Sequence, residues 1–546
     1  LARKKKPPQP KLSVATVIIV KDEEDNLKRL LDSMSPEVIG NLFVTDTGSS
    51  DDTIAVAKSY GAVVTHFPWC EDFAAARNYA AEQVPKYYDW IFMPDADEYL
   101  LPGDFSKLVG LLEKQFPDVT LALIGKYHFS EECIFGRDRC YRRGTHHWRK
   151  RVHETPEPVG PSITVTVDVD LFHAPGPGWS TRKRERDLRL LKLDFQENPK
   201  DLRNVFYLAR EYYYNEPPPT AIGMLEYFLT LPGTWNVERS QAYIYMGEMY
   251  AKTGDSVKAL DCYLSACREA PWRREGYYAV GMHYYNLADN GQGLWEYVLP
   301  WLEATIAVDG PANNYLSTVS LYSYSPHQML SVALWKLGKQ DEAFAQSLKA
   351  YHYRPDKDVL QRNLMWTTPG VESTRRSNIN NPAYWDWSIK ELAFWDTYAE
   401  RDRKRFELIA KQLFGLVLDI GSGPNALTNF YPNVITVDYS SSAKPNVLAS
   451  ATELPFADKS CDCVVLAELL EHLENPFPVL QEARRVARKK IVVTVPYKLE
   501  RDTGEHLWSF NEQGLTNVLS VVGAAQVQKY DTGVDVEQGL LGVVKV

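Results

Sequence analysis

The chain has 546 residues and lacks any run approaching the roughly 20 apolar residues that cross a bilayer, so no membrane span is expected. It is poor in cysteine, with seven scattered residues, an odd number. Cys461 and Cys463 form C-x-C, and Cys133 and Cys140 stand seven positions apart, neither of which is a zinc spacing. That usage argues against a disulfide framework and for buried free thiols in a reducing cytoplasm. There is no excess of positive charge: 61 basic residues face 71 acidic ones, a net charge of -10, so no nucleic-acid partner is expected. The start, Leu1-Ala2-Arg3-Lys4-Lys5-Lys6, is basic but no apolar stretch comes after it. It reads as a flexible basic tail over residues 1–12 rather than a secretion signal.

What is present is the make-up of a globular protein, 45% hydrophobic and 24% charged, with length for about three domains. From Ser13 to Leu100 short apolar strands alternate with amphipathic helices, which predicts an α/β domain with a parallel sheet. Strands are expected at Val14–Val20, Asn41–Thr45, Val63–Phe67 and Trp90–Met93, and helices at Asp25–Ser33, Asp51–Tyr60 and Phe73–Val84. From Arg182 to Met365 the pattern turns helical and Tyr-rich. Tyr243, Met246, Gly247 and Tyr250 lead into Ala259, Tyr263, Ala266 and Pro271, the small/large spacing of a tetratricopeptide repeat. The register recurs 34 residues on at Tyr277, Gly281 and Tyr284. A partial copy precedes it at Ala209, Tyr212, Ala221 and Leu225, and a half copy comes later at Ala343, Ala350 and Pro355. Such helices either space two enzymes or form a groove for a peptide. Thr367 to Pro382, with Pro369-Gly370 and an Asn-rich run, reads as linker. Beyond it lies a second α/β pattern, with strands at Leu416–Ile420, Val434–Val437, Cys463–Leu466 and Ile491–Val495.

The acidic run Asp95-Ala96-Asp97-Glu98 directly follows the strand ending at Met93. In an extended segment Asp95 and Asp97, at i and i+2, point the same way. Carboxylates at a strand end suit a hard divalent cation such as Mg²⁺ or Mn²⁺, which can offset charge developing on a diphosphate. The surroundings carry a resemblance. Val17-Ile18-Ile19-Val20-Lys21-Asp22-Glu23-Glu24, Val44-Thr45-Asp46-Thr47-Gly48-Ser49-Ser50-Asp51, Ala76-Arg77-Asn78 and the Asp95 run stand in the order and spacing of family-2 glycosyltransferases of the GT-A fold. This stretch, Ser13 to about Leu193, resembles that family. The resemblance implies a nucleotide-sugar donor, with UDP the commonest nucleotide. It implies that Asp46 contacts the base, Glu23 lines the same pocket, Arg77 holds the nucleotide or its phosphates, and Asp97 binds the metal with Asp95 close by. Many relatives have Asn where Asp22 stands and a second Asp where Thr47 stands, which leaves the base open. Arg151-Val152-His153-Glu154 resembles an R-x-H-E segment, and Leu171-Phe172-His173 with Gly176 or Gly178 an H-x-G segment, of the subset with trailing helices. His173 is then a further metal ligand and Glu154 the base for inverting transfer, with Asp168 or Asp170 behind it. The alternative for each is structural. Members of that subset glycosylate peptides or cell-surface saccharides, so either class of acceptor is implied.

Val417-Leu418-Asp419-Ile420-Gly421-Ser422-Gly423 is a strand entering a tight Gly turn, and Asp438 ends the next strand 19 residues after Asp419. Read by itself this is a Rossmann-like nucleotide domain. With Ala451-Thr452-Glu453-Leu454-Pro455-Phe456, Cys461-Asp462-Cys463-Val464-Val465 and Glu468-Leu469-Leu470-Glu471-His472-Leu473, it resembles class I S-adenosylmethionine-dependent methyltransferases from about Trp395 to Val546. The resemblance implies that Asp419, Gly421, Ser422 and Gly423 pass the methionine part of the cofactor. It puts Asp438 on the ribose, the turn Ala451 to Leu454 at the adenine, and Glu468 nearby. Ser450 and Asn425 depart from the family's usual acid and small residue. His472 or His506 would be the base for methyl transfer to a hydroxyl.

The expectation is a multidomain α/β, α and α/β chain in the cytoplasm. A basic tail (1–12) leads into a GT-A glycosyltransferase (13–193), tetratricopeptide-like repeats (194–366), a linker (367–394) and a Rossmann-like methyltransferase (395–546). The function implied is bifunctional: metal-dependent inverting sugar transfer to a protein, peptide or saccharide acceptor, and methyl transfer onto the transferred sugar in the economical version. The alternatives are a glycosyltransferase with a non-catalytic methyltransferase-like domain, or a repeat scaffold with relic enzyme domains.

Overall fold

The computed structural model describes residues 14–115, 118–175, 179–309, 315–373, 403–498, 506–531 and 538–546. The chain divides into two compact units, one reaching Gly293 and including Pro300–Tyr322, the other comprising Leu294–Leu299 and Ser323–Val546. The tail 1–12, the glycines Gly176 and Gly178, and residues 374–402 of the expected linker and domain start lie outside the described residues.

The first unit opens on strands β1 (Val14–Val20), β2 (Leu42–Asp46), β3 (Val63–His66) and β4 (Trp90–Phe92), each within a residue or two of its expected place. Helices Glu24–Met34, Thr53–Ser59 and Phe73–Glu82 separate them. The first buries Leu27, Leu30, Leu31 and Met34 at helical spacing, one stripe turned to the core. The four strands run parallel, in spatial order β3-β2-β1-β4. The sheet does not stop there. Strands β5 (Glu98–Leu100), β6 (Val119–Ser130), β7 (Cys133–Arg142) and β10 (Ile163–His173) extend it to eight, in order β3-β2-β1-β4-β7-β6-β10-β5. The hairpin β8 (His146–Arg149) and β9 (Thr155–Pro158) stands apart as a two-stranded sheet. The expected strands are parallel, but β7 joins β4 antiparallel, so the sheet continues as a mixed one. The reason is local: β6 and β7 are joined by a turn too short for a parallel crossover, so β7 must run back along β6.

Helices Leu202–Asn215, Pro218–Thr230, Asn236–Lys252, Ser256–Glu269 and Arg274–Asp289 come next as antiparallel neighbours. The repeat spacing has a physical cause. A methyl group on Gly247 would collide with the Tyr263 ring, and one on Gly281 would stand 2.9 Å from Leu302. Ala209, Ala221, Ala259 and Ala266 are fully buried at the crossings.

The second unit begins with helices of the same kind. Tyr324–Lys336, Gln340–Tyr353 and Asp358–Thr367 bury Ala343 and Ala350 at the half copy. They share a core with the α/β layer of the same unit: Tyr351, Leu364 and Met365 cluster with Leu418, Val464, Phe477 and Leu515. The described start of the expected linker is ordered, since β11 (Val371–Ser373) pairs with the later strand at Trp508–Phe510. The main sheet has β12 (Val417–Ile420), β13 (Val434–Asp438), β14 (Val447–Leu448), β15 (Cys461–Ala467) and β16 (Ala487–Pro496) parallel. With β17 naming the strand Trp508–Phe510, two further strands, β18 (Ala525–Asp531) and β19 (Gln538–Lys545), close one edge antiparallel. The order is β14-β13-β12-β15-β16-β19-β18. Neighbours of β12 lie on both sides of it, so a crevice opens at its C-terminal end.

All seven cysteines are unpaired. Four are buried, but Cys70 is exposed rather than buried as expected. Among the described residues no helix is long and apolar enough to cross a membrane.

Candidate functional sites

The end of β4 does not continue as the extended segment that the i, i+2 reading requires. A turn closes over residues 95–98, with the Glu98 amide donating to the Asp95 carbonyl at 3.1 Å. Asp95 and Asp97 therefore part company. Asp95 faces two buried arginines, accepting from Arg77 on one oxygen and from Arg139 on the other. Asp97 faces His173 across the sheet, with Oδ2 and Nε2 3.3 Å apart. The Ala174 amide donates to the Asp97 carbonyl at 2.8 Å and fixes the end of β10 beside the turn.

Behind Asp95 lies a buried ion network. Arg139, on β7, is 1% exposed and donates to Glu98 Oε1 through Nε (3.2 Å) and Nη2 (2.6 Å). Glu98 Oε2 in turn accepts from the Asp95 amide at 3.0 Å. Arg77 donates from Nε to Glu154 Oε1 at 2.7 Å and lies over the Trp148 ring. Burial raises the Asp95 carboxyl, but Arg139 and Arg77 outweigh it and hold the group well below the usual carboxylate range. In Glu154 burial is likewise outweighed by Arg77, and the pKa is lowered. Arg77 thus has two carboxylates as partners. Its Nη1 is buried with no hydrogen-bond partner among the described residues.

The motif Ala76-Arg77-Asn78 acts as a unit. Asn78 accepts from the Trp148 amide (2.8 Å) and donates to its carbonyl (2.9 Å), clamping the β8–β9 hairpin so that Glu154 meets Arg77. The Arg151-Val152-His153-Glu154 segment divides its work. Arg151 pairs with Asp194 at 2.9 Å, while His153, at φ 53°, stacks on Tyr207 with centroids 4.0 Å apart. Tyr207 stacks in turn on Tyr315. Tyr315 lines a cavity of 810 Å³ whose walls include Tyr245, Tyr263, Tyr278 and Glu275 from the helices and Glu132 and Cys133 from the sheet.

The remaining expected residues take different places. Asp46, buried at the end of β2, accepts from the amides of Gly48 (3.1 Å) and Ser49 (3.0 Å). Burial opposes its ionisation, but those hydrogen bonds prevail and lower its pKa. Glu23 accepts from Asn26 at 2.6 Å, and burial, with the nearby charges of Asp97 and Asp95 behind it, raises its pKa. Asp168 does not stand behind Glu154. It is 72% exposed on the other face of β10, paired with Lys107 (3.2 Å) and Lys126 (3.1 Å). Asp170 shares that face and takes His128 Nε2 at 2.6 Å. Strand alternation puts both residues opposite the buried Val167, Val169 and Leu171. Two residues of the network received no role from the sequence, Arg139 and Glu98. Arg139 carried no signal, being one arginine among several in a polar strand.

In the second unit β12 runs into Gly421 and Gly423, at φ 69° and 50°. These conformations favour glycine. A side chain on Gly421 would press on Leu469 at 3.0 Å, whereas one on Gly423 would project into open space. Asp438 accepts from the Gly423 amide and the Ser440 amide, both at 2.9 Å, tying the Gly turn to the end of β13. Ser422 donates to Asn425 Oδ1 at 3.1 Å, and Asn425 takes a left-handed backbone at φ 60°. The Ala449 amide donates to the Asp438 carbonyl at 3.0 Å, so the turn Ala451-Thr452-Glu453-Leu454 lies beside Asp438. Glu482 accepts from the Leu454 amide at 2.8 Å. Asp419 is buried beneath the Gly turn. Burial and the adjacent Asp438 push it up to about 7, with Arg405 acting the other way. Glu468, at φ 52°, meets Arg405 at 3.4 Å. The His472 and His506 rings lie 4.6 Å apart beside Glu471.

Comparisons with known proteins agree with this division. Residues 15–175 match the family described as glycosyl transferase family 2, and residues 418–493 match a methyltransferase domain. A TPR repeat-containing protein of Synechococcus elongatus is 41% identical over 101 residues, 18% of this chain and 24% of that protein. An uncharacterized glycosyltransferase of Rickettsia typhi is 33% identical over 87 residues, 16% of this chain and 28% of that protein. The chain thus spans about a quarter of the length of the curated relatives it matches. Among solved structures, a SAM-dependent methyltransferase of Thermotoga maritima is 18% identical, with a TM-score of 0.26, covering 30% of this chain and 98% of its own. A TPR protein of Thermus thermophilus is also 18% identical, with a TM-score of 0.25, covering 35% of this chain and 92% of its own. The chain carries a family-2 glycosyltransferase domain and a methyltransferase domain, joined through helical repeats.

Proposed function

We propose that the first unit transfers a sugar from a nucleotide sugar with the help of a divalent cation, and that the second transfers a methyl group from S-adenosylmethionine. The observation that carries the first half is the meeting of Asp97 Oδ2 and His173 Nε2 at 3.3 Å, from opposite ends of the domain's sequence. Two ligands of one cation at about 2.0–2.2 Å stand about 3 Å apart, so the pair fits Mn²⁺ or Mg²⁺ with further positions open. When bound, the cation supplies positive charge to the departing diphosphate. Asp97 and His173 would hold it, and Glu23, raised first by burial and then by the charges of Asp97 and Asp95, stands near that place. Asp46, oriented by two backbone amides, would meet the base of the nucleotide. Arg77 would turn its unpartnered Nη1 to the nucleotide. Glu154, kept ionised by Arg77, would accept the acceptor's proton in an inverting transfer, Oε2 being the oxygen not bonded to that arginine.

The Tyr- and Glu-lined cavity supports a peptide acceptor, since Tyr315 in its wall is stacked through Tyr207 on His153, the neighbour of Glu154. For the second half, the open space at Gly423 beside Asp438 suits a nucleoside-bearing cofactor. S-adenosylmethionine supplies an electrophilic methyl group there. Asp438 would hold its ribose, the Gly421-Ser422-Gly423 turn would pass its methionine part, and the Ala451 to Leu454 turn would bound its adenine. His472 would take the proton of the methyl acceptor.

A panel of nucleotide sugars with Mn²⁺ or Mg²⁺, read by mass spectrometry for donor hydrolysis, tests the first half. Turnover of one donor that disappears in Asp97→Ala is expected. Turnover unchanged in Asp97→Ala and His173→Ala would sink the metal assignment. Calorimetry with S-adenosylmethionine on wild type and Asp438→Ala tests the second half, and equal binding by both would reject that cofactor site.

A further inference from the structure

Glu471 is out of keeping with its surroundings. Its side chain is 0% exposed, and neither carboxylate oxygen has a hydrogen-bond partner among the described residues. A buried polar group left in that condition costs free energy unless something else meets it. Burial, and then the charge of Glu468, hold its pKa well above the usual carboxylate range. Arg405, the nearby cation, faces Glu468. Two imidazoles lie close by. The ligand atoms of Glu471, His472 and His506 all fall within 4.8 Å of one another. His472 Nε2 is 3.9 Å from Glu471 Oε1, too far for a hydrogen bond. It is close to the separation of about 3.3 Å between two ligands of a tetrahedral cation bound at 2.0–2.1 Å.

We infer that Glu471, His472 and His506 form a second metal site, specific for a borderline divalent cation such as Zn²⁺ or Fe²⁺. Two imidazoles and one carboxylate select these over Mg²⁺, which takes oxygen ligands. Three protein ligands leave at least one position open, the pattern of sites that bind an exchangeable oxygen. The site also has a meaningful address. It comes directly after β15, and Leu469, two residues before Glu471, lies against Gly421 of the cofactor turn. The open position is therefore suited to an oxygen of the methyl acceptor, whose proton loss a bound cation would favour in place of the base role given above to a metal-free His472; that step rests on the methyl-transfer reading, whereas the metal site does not.

The test uses the full chain, stripped with chelator and titrated with Co²⁺ while its visible absorption is monitored. At least one equivalent giving a d–d spectrum is expected, and one should persist in Asp97→Ala/His173→Ala, which removes the first unit's pair. Glu471→Gln, His472→Ala and His506→Ala should each weaken binding at least about tenfold while S-adenosylmethionine binding persists. No stoichiometric Co²⁺, or equal affinity in all three variants, overturns the site. A measurement on the wild-type chain guards against variants that fail to fold. Zn²⁺ should protect His472 and His506 from diethylpyrocarbonate, and equal modification with and without Zn²⁺ overturns it as well. A chain that binds Co²⁺ at these residues but not S-adenosylmethionine would keep the metal site and reject the methyl-transfer reading.

Discussion

The two α/β domains bury charge in different ways. Below the Asp95 turn every buried carboxylate is answered by an arginine: Arg139 bridges Asp95 and Glu98, and Arg77 bridges Asp95 and Glu154. Around the Gly turn of β12 three acids, Asp419, Glu468 and Glu471, share the single Arg405. The first arrangement is a finished scaffold. Its two arginines are shared among three carboxylates and hold the Asp95 and Glu154 pKa values down. The second is an unfinished one. Asp419 and Glu471 are pushed toward the neutral form, as burial also does to Glu98 in the first network, but here a single arginine serves the group.

The contrast can be broken by mutation. Arg139→Met should be the costliest change, about 3–5 kcal/mol in urea unfolding, because Glu98 is left fully buried without its cation and Asp95 keeps only Arg77. A loss below 1 kcal/mol would mean that the network is not a scaffold. Asp97→Asn should lower sugar transfer at least about 100-fold, roughly 2.7 kcal/mol in transition-state terms, with little change in unfolding. That combination separates a functional acid from the structural ones beside it. Arg405→Met should cost less than Arg139→Met, about 1–2 kcal/mol, because the acids around it can take up protons. Its cost should grow as pH rises, and a cost as large as that of Arg139→Met would erase the distinction between the domains.

A pH dependence rather than a single loss concerns Asp419, raised to about 7 when folded. An unfolded aspartate titrates near 3.9. Below that value both states are protonated and the group imposes no penalty. As pH climbs toward 7 the unfolded state releases a proton that the folded state keeps, and stability falls. Asp419→Asn removes the effect. Its unfolding free energy relative to wild type should therefore rise between about pH 4 and pH 7, by at most about 1.4 kcal/mol per pH unit. A flat difference over that range would show that Asp419 is charged in the folded protein.

Much of this was readable beforehand. The first four strands were legible because buried parallel strands are apolar runs bounded by helical periods, as in Val14–Val20 and Trp90–Phe92. The repeat spacing was legible because Gly247 must be small where Tyr263 crosses it. The second half of the first sheet was missed. Ile163–His173 does alternate with period two, but its polar face carries Asp168 and Asp170, and these drew attention as acids rather than as the outward side of a strand. Their pairing with Lys107, Lys126 and His128 removes them from the site.

The sequence by itself determined the order of the domains and the identities of the motif residues, because strand and helix periods and short turns are local properties of the chain. It also bounded the chemistry: carboxylates after β4, and a Gly turn and an acid after β12 and β13. Tertiary structure alone decided which acids act together. Asp95 and Asp97 are two positions apart, yet a turn sends one to Arg77 and Arg139 and the other to His173. Glu154 meets Arg77 only because Asn78 clamps the hairpin that carries it. Glu471 and His506 stand far apart in the chain and come together only in the fold. Spacing along a chain sets which residues are neighbours in a strand or a turn. The partner of a buried charge is set by sheet order and packing, which join residues that no local pattern connects.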